Sequence, residues 1–369
     1  MSTIKKIVFG ITGLTLGGAE RVLVDIVNEL SKKYDITLFT LYGKGEFERE
    51  LSNKVKLINM IDKKYVELSK LEKLKISLKL FLNKKSIYEK YINKGYDIEI
   101  AFLEGPITRL FSKSNNKVKK IAWVHNDIRQ VFGNNLKARI KIKLDKNCYS
   151  KYNDIVFVSN DNKKHFEETY NINNNKIVIP NYISISRVLE KSEEPIKNIF
   201  ESDQINFLTV ARLTEQKAID RLIKVHAELI EKGYNHKFYV IGDGPEKEKL
   251  EILIQNYNIQ KSFILLGKKE NPYPYIKKCD IFALMSLYEG LPMTILESKI
   301  LDKPILITNT AAREAVQGYY KSYITENTKK GIYDGIKNCI ELLPKWEKIE
   351  KKEYYENSNI IKQIEKLVN

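Results

Sequence analysis

The chain has 369 residues, 43% of them hydrophobic and 30% charged, a balance that excludes disordered, collagen-like and low-complexity scaffolds. Its 63 Lys and Arg against 47 Asp and Glu leave a net charge of +16. That excess does not bear on fold but points to acidic partners: nucleic acid, an anionic membrane surface or phosphorylated ligands. Three dispersed cysteines, Cys148, Cys279 and Cys339, form no CxxC, so neither a disulfide framework nor a cysteine zinc site is expected. No apolar run reaches the roughly 18 residues of a membrane span.

Taken in chain order, short apolar runs alternate with helical patterns. Strands are expected at Ile4–Phe9, Ile36–Leu41, Val55–Met60, Asp97–Leu103, Lys120–Val124, Asp154–Val158 and Lys176–Ile179. They lack polar alternation, which marks parallel strands buried on both faces. Between the first strand and an amphipathic helix carrying Val22, Leu23, Ile26, Val27 and Leu30 lies a glycine-rich loop with Gly17 and Gly18. Strand, loop and helix account for this stretch better than a signal peptide does. From Tyr182 to about Asp203 the pattern stops, and residues 184–203 read as a linker. A second series follows at Ile205–Ala211, Lys237–Gly242, Ser262–Gly267, Asp280–Leu284 and Pro304–Thr308. The expectation is an α/β protein with two doubly wound domains, 1–183 and 204–345, and ligands at the carboxyl ends of the strands in a cleft between them. A last helical stretch runs from about Trp346 to Val368, with Ile360, Ile361, Ile364 and Leu367 on one face.

The charge is unevenly divided. Residues 1–183 carry 34 basic and 20 acidic side chains, and the remainder 29 and 27. The densest basic segment is Tyr65–Lys85, where Leu68, Leu71, Leu74, Leu78 and Phe81 form an apolar stripe among Lys70, Lys73, Lys75 and Lys79. Such a helix either packs on a core with a solvated lysine face or lies on an anionic bilayer. A second basic run spans Lys137–Lys146.

Residues with chemical potential gather at predicted carboxyl strand ends. After Asp280–Leu284 comes Ser286–Lys299, where Glu289, Gly290, Leu291 and Pro292 lead into a helix bearing Met293, Thr294 and Glu297. A helix start there offers free N–H groups and a positive dipole end to a phosphate, and Gly290 is expected to let the backbone approach closely. Arg212 and Lys217 follow the strand at Ile205 and can supply bidentate and point-charge contacts to phosphate. His125 follows the strand ending at Val124; a lone histidine is more often structural, but its position favours a role. Gly242–Pro245 is a turn. The loop at Gly17–Glu20 has neither GxGxxG nor P-loop spacing. Asp97 and Glu99 lie at a strand start, and no metal site is expected.

Together these residues resemble glycosyltransferase family 4, with the GT-B fold of two Rossmann-like domains. The resemblance rests on Glu289 and Glu297 as the Glu-x7-Glu element, Gly17–Glu20, the Arg212 and Lys217 pair, His125, Gly242–Pro245 and Pro180-Asn181. It implies a retaining hexosyl- or N-acetylhexosaminyltransferase, independent of metal and of any cofactor. The donor is implied to be a nucleotide-sugar, UDP being the commoner nucleotide, and the acceptor a lipid-diphosphate-linked glycan of bacterial surface polysaccharide synthesis. It implies that Glu297 meets the ribose hydroxyls and that Arg212, Lys217 and the backbone of Leu291–Thr294 hold the diphosphate. Glu289 and His125 then face the donor sugar, and the base lies near Gly267. Also implied is a C-terminal helix, about 346–369, packing back on the first domain. A cytoplasmic enzyme peripheral to the inner face of the plasma membrane fits this reading. Departures are Ala218 where Gly often follows the Lys, and Ala311-Ala312 in place of a Gly pair. The alternatives are a GT-B nucleotide-sugar epimerase, with only His125 and Glu289 available as acid and base, and a basic nucleic-acid binder, for which no RNA-recognition motif is present.

Overall fold

The computed structural model describes residues 4–114, 117–128, 136–197, 199–349 and 358–369. It divides into two compact units, residues 1–182 with 358–369, and residues 183–357. The first unit holds strands β1 (Lys6–Ile11), β2 (Asp35–Tyr42), β3 (Lys56–Ile61), β4 (Ile98–Ala101), β5 (Lys119–Val124), β6 (Asp154–Phe157) and β7 (Asn175–Val178). They form one parallel sheet in the order β3-β2-β1-β4-β5-β6-β7. The second unit holds β8 (Ile205–Val210), β9 (His236–Ile241), β10 (Phe263–Gly267), β11 (Ile281–Leu284), β12 (Ile305–Thr308) and β13 (Ser322–Thr325). These are again all parallel, in the order β10-β9-β8-β11-β12-β13. Both sheets are doubly wound, and each reverses its strand order at one switch point: β1/β4 in the first, β8/β11 in the second. In such sheets the crevice at the switch point, outside the carboxyl strand ends, is where ligands bind.

Burial explains why the strands read as unbroken apolar runs. In β1, β2 and β4 nearly every residue is buried. In the second sheet, Phe207, Phe238 and Phe263 occupy matched register positions on three adjacent strands. Their rings stack with centroids 4.7 and 5.8 Å apart, a cross-strand pairing that fixes register as well as burying area.

Three expectations need correction. The stretch 184–203 is not simply a linker: Ile185–Ser192 is a helix capped by Ser184 and packed in the second unit against helices Tyr273–Lys278 and Met293–Ile300. Its polar sequence concealed it, since only Val188 and Ser192 are buried along it. The C-terminal helix is shorter than 346–369. Trp346 ends a helix of the second unit that began at Lys329, residues 350–357 lie outside the described residues, and only Ser358–Val368 joins the first unit. There Ile360, Ile364, Leu367 and Val368 are buried. Lys5 donates to the carbonyls of Val368 and Asn369 at 3.2 and 2.6 Å, and Lys119 to that of Leu367 at 2.6 Å. The edge strand β13 was not anticipated. Among the described residues no helix is long and apolar enough to cross a membrane.

A polar group buried beneath the second sheet has a consequence for acid stability. His236 and His226 are fully buried. The ring of His236 bonds the Tyr234 carbonyl through Nδ1 at 3.3 Å, so that nitrogen carries the proton. Its Nε2 then accepts from His226 Nδ1 at 2.9 Å, and His226 Nε2 accepts from Ser262 Oγ at 2.9 Å. Burial pushes His226 down to about 2, with the neighbouring His236 adding to the effect, and burial likewise pushes His236 down to about 4. The unfolded chain, with histidines near 6.5, therefore binds more protons than the folded one below that pH. Stability is full above about 6.5 and falls as pH drops toward 4, by about 1.4 kcal/mol per pH unit for each histidine. Thermal midpoints measured from pH 7.5 to 4.5 should fall steeply in the parent chain and less steeply in His236→Gln.

Candidate functional site

In the second unit the two loops that flank the switch point are knitted together. After β8, the chain runs through Arg212 to a short 3₁₀ turn at Glu215–Lys217 and then the helix Ile219–Glu231. After β11 it runs through Ser286 to Gly290 and into the helix Met293–Ile300, with Pro292 as its N-cap. The Leu287 N–H donates to the Gln216 carbonyl at 2.8 Å, and Gln216 Nε2 donates to the Tyr288 carbonyl at 3.0 Å. Arg221 reaches from the following helix to the Met285 carbonyl at 2.9 Å. Within this frame Lys217 Nζ donates to Glu289, and Ser286 Oγ donates to the same carboxylate oxygen at 2.5 Å. Both partners of the ion pair are largely enclosed. The sequence reading assigned Lys217 to a diphosphate and Glu289 to a sugar; the fold places them in direct contact.

Arg212 is different. It is exposed, and its guanidinium has no hydrogen-bond or ion-pair partner among the described residues, which leaves its donor fork open. Glu297 lies within that helix and is buried. The Tyr273 hydroxyl donates to Glu297 Oε1 at 3.2 Å and accepts from Arg187 at 2.5 Å. Leu291 and Met293 are buried, Thr294 partly exposed. The amides of the helix's first residues lack intrahelical carbonyl partners, as at any helix start. Gly267 closes β10 with a φ of 67°, and its carbonyl accepts from the Gly242 N–H at 3.0 Å. Gly290, in contrast, is not among the glycines with a left-handed backbone.

The residue after Lys217 has a physical requirement that its sequence did not show. Ala218 sits at φ 49° and ψ 39°, the left-handed region that glycine enters without strain. The turn needs that conformation to swing the chain into the helix at Ile219, and alanine adopts it here. The turn Gly242–Pro245 braces the other side of the Arg212 loop: Leu213 N–H donates to the Asp243 carbonyl at 2.9 Å. A Cβ on Gly242 would lie 1.8 Å from the Ala211 carbonyl oxygen. Gly242→Ala is therefore expected to displace the strand end that carries Arg212 and to lower the thermal midpoint by several degrees, read by calorimetry.

In the first unit, Gly17 is the N-cap of the helix Gly18–Leu30, so Gly17 and Gly18 stand just beyond β1 at the switch point. Glu104 follows β4 on the other side. Its Oε1 accepts from the N–H groups of His125 and Asn126 at 2.5 and 2.6 Å, pinning the loop after β5. Burial raises the Glu104 carboxyl above its usual range, against the backbone bonds that lower it. His125 is 9% exposed, packed on Phe102 and Trp123. Its ring bonds the Phe102 carbonyl, and Nε2 is buried with no partner. A carbonyl only accepts, so Nδ1 carries the proton and Nε2 presents a lone pair. Burial holds the ring at about 3, so it is neutral near pH 7: a hydrogen-bond acceptor and not a cation. Among the described residues, no group of three or more His, Cys, Asp or Glu side chains is arranged to hold a metal ion.

Sequence reasoning missed Glu104, Arg187, Tyr273 and Ser286. Ser286 opens the segment already singled out, and Glu104 directly follows the expected strand Asp97–Leu103, so both had a positional signal. Arg187 and Tyr273 had none, because only folding brings them to Glu297.

Two parallel-sheet α/β units with these loops at their switch points define the fold class of the GT-B glycosyltransferases. The crystal structure of Anabaena HepE in complex with UDP and glucose superposes with a TM-score of 0.74 at 15% identity, over 99% of both chains. Residues 16–187 match the family model for Glycosyltransferase Family 4, and residues 190–356 that for Glycosyl transferases group 1. The chain belongs to this family. An uncharacterized glycosyltransferase of Methanocaldococcus jannaschii is 37% identical over 216 residues, 56% of this chain and 52% of the relative; the match spans about half of that relative's length. A Campylobacter jejuni relative is 27% identical over 358 residues, 91% of this chain and 90% of the relative. It is named as an N-acetylgalactosamine-N,N'-diacetylbacillosaminyl-diphospho-undecaprenol 4-alpha-N-acetylgalactosaminyltransferase.

Proposed function

We propose that the chain transfers a hexosyl or N-acetylhexosaminyl group from a nucleotide-sugar, with UDP the expected nucleotide, to a lipid-diphosphate-linked glycan in bacterial surface polysaccharide synthesis. The observation that carries this reading is the pair of loops at the second unit's switch point, which bear exposed Arg212 and the Lys217–Glu289 ion pair and lead into the helix Met293–Ile300 with Glu297 buried in it. Charge on a leaving diphosphate would meet Arg212, Lys217 and those amides, held in place before the reaction, which is where electrostatic catalysis gains most. Glu297, steadied by Tyr273, would hold the ribose hydroxyls. In the second unit Glu289 would accept a hydrogen bond from the donor sugar; in the first, His125 Nε2 is the acceptor proposed for a sugar hydroxyl.

In the transfer, the bond from the sugar's anomeric carbon to the β-phosphate oxygen breaks as the acceptor hydroxyl oxygen bonds to the same carbon from the same face. The acceptor proton passes to the departing phosphate oxygen, so configuration is retained and no protein nucleophile is needed. The lipid-linked acceptor is supported by the activity for which the Campylobacter relative is named and by the basic first unit. An enzyme bound at the inner face of the membrane, without a metal cofactor, follows from the same reading.

The test is a panel of UDP- and GDP-sugars screened by thermal shift, then transfer to a polyprenyl-diphosphate saccharide followed by NMR of the new anomeric linkage. A true donor raises the midpoint by mass action. Transfer with inversion, epimerised donor without acceptor, or loss of transfer in EDTA would each overturn the corresponding part.

A further inference from the structure

The helix Lys70–Leu82 carries its apolar residues on two sides. At 100° per residue, Ile76 and Leu80 share one side, and Leu71, Leu74, Leu78, Phe81 and Leu82 share an arc about 100° wide roughly opposite. The first side packs on the core of the first unit, with Leu68 buried just before the helix. The second side faces solvent: Leu71 is 71% exposed, Leu74 64%, Leu78 56%, Phe81 66% and Leu82 66%. The stripe expected from sequence to include Leu68 is thus not the packing face, and the reading of a helix with only a solvated lysine face does not hold. Five large apolar side chains on one exposed helical face are more than scattered surface residues explain.

Charge frames this arc. Lys75 and Lys79 border it on one side, and Lys70 and Lys73 on the other. The helix start is fixed by a capping box, Ser69 Oγ accepting from the Glu72 N–H at 3.2 Å and Glu72 accepting from the Ser69 N–H at 2.8 Å, so the face is held in a defined orientation. Beyond the helix end, Lys84 lies near enough to Lys113 and Arg109 to feel their charge, and near Cys148 at the end of the helix Leu136–Tyr149. That second helix carries exposed Lys141, Lys143 and Lys146 with Leu144 at 53% exposure. The side chains of residues 137–140 of the basic run 137–146 lie outside the described residues. Both basic segments belong to the first unit, and between them Arg109 is paired with Asp145 at 2.6 Å.

We infer that the face formed by Leu71, Leu74, Leu78, Phe81 and Leu82 is a membrane-docking surface that inserts into an anionic bilayer, with the flanking lysines on lipid headgroups. Charge complementarity selects this occupant. A protein groove would have to bury Lys70, Lys73, Lys75 and Lys79 against carboxylates, whereas a bilayer lets the apolar arc sink while the lysines extend to the headgroups. The helix lies in the interface and does not span it. This inference concerns a face distinct from the switch-point residues, and vesicle binding needs neither donor nor acceptor, so it can fail while the transfer reaction stands.

The experiment is co-sedimentation of the intact chain with vesicles of phosphatidylcholine containing 30% phosphatidylglycerol, and with vesicles of phosphatidylcholine alone. Binding at least tenfold tighter to the anionic vesicles is expected. Leu74→Ser/Leu78→Ser/Phe81→Ser should weaken it at least tenfold, and Lys75→Glu/Lys79→Glu severalfold, with thermal midpoints unchanged because these side chains are exposed. A quenched tryptophan at position 78, introduced as Leu78→Trp, should be shielded from aqueous acrylamide only with anionic vesicles. Absence of vesicle binding, equal binding to both compositions, or binding unaffected by the triple Ser variant overturns the inference. So does light scattering that shows a dimer abolished by the triple variant, which assigns the face to a second copy.

Discussion

Arg212→Ala is expected to lower kcat/KM for sugar transfer by about 10²–10³-fold and to leave the thermal midpoint unchanged. Both halves follow from its setting. The guanidinium is exposed and has no partner among the described residues, so its removal breaks no internal bond. If it meets a diphosphate, its removal strips charge from the leaving group when that charge is greatest. Arg212→Lys should recover only part of the loss, since an ammonium cannot grip two oxygens as a planar fork does. Steady-state kinetics with the donor found by thermal shift decides the matter, and transfer at the parental rate in Arg212→Ala would remove this residue from the diphosphate site.

Glu289→Gln is the second strong perturbation, and it separates charge from shape. The amide oxygen can still accept from Ser286 and Lys217, so the loop 286–290 should keep its course. The negative charge beside Lys217 is gone. Transfer is expected to fall at least 10²-fold with a small change in stability. Glu289→Ala goes further: it leaves Lys217, 16% exposed, without its counter-charge, at a cost of up to about 3 kcal/mol. A double cycle with Lys217→Met measures how much of that cost is the abandoned cation. Equal activity in Glu289→Gln and the parent would assign the pair to folding alone.

How much of this was legible beforehand depended on what each residue meets. Strands buried on both faces announce themselves, which is why β1, β2 and β8 lay close to their expected bounds. The edge strand β13 did not, because SYIT has few apolar residues and is partly exposed. Lys70–Leu82 was readable as a helix, yet its pattern has two apolar sides, and periodicity alone does not say which one meets the core. Glu289, Glu297, Arg212 and Lys217 could be singled out because each follows a strand in a recognisable order. Their pairings could not. Lys217 meets Glu289 across 72 positions of chain, and Arg187 meets Tyr273 across 86, separations at which local sequence carries no contact information. The neutrality of His125 was equally hidden, since it arises from burial against Phe102, 23 positions away, as well as against nearby Trp123.

The return of Ser358–Val368 to the first unit affects the order in which the protein is made. That unit's core lacks Ile360, Ile364, Leu367 and Val368 until everything in 183–357 has been synthesised. At about 5–20 residues per second, the delay is on the order of ten seconds or more. During that interval the second unit, contiguous in sequence, can complete itself, while the first waits with an apolar seam uncovered. The half that begins first finishes last.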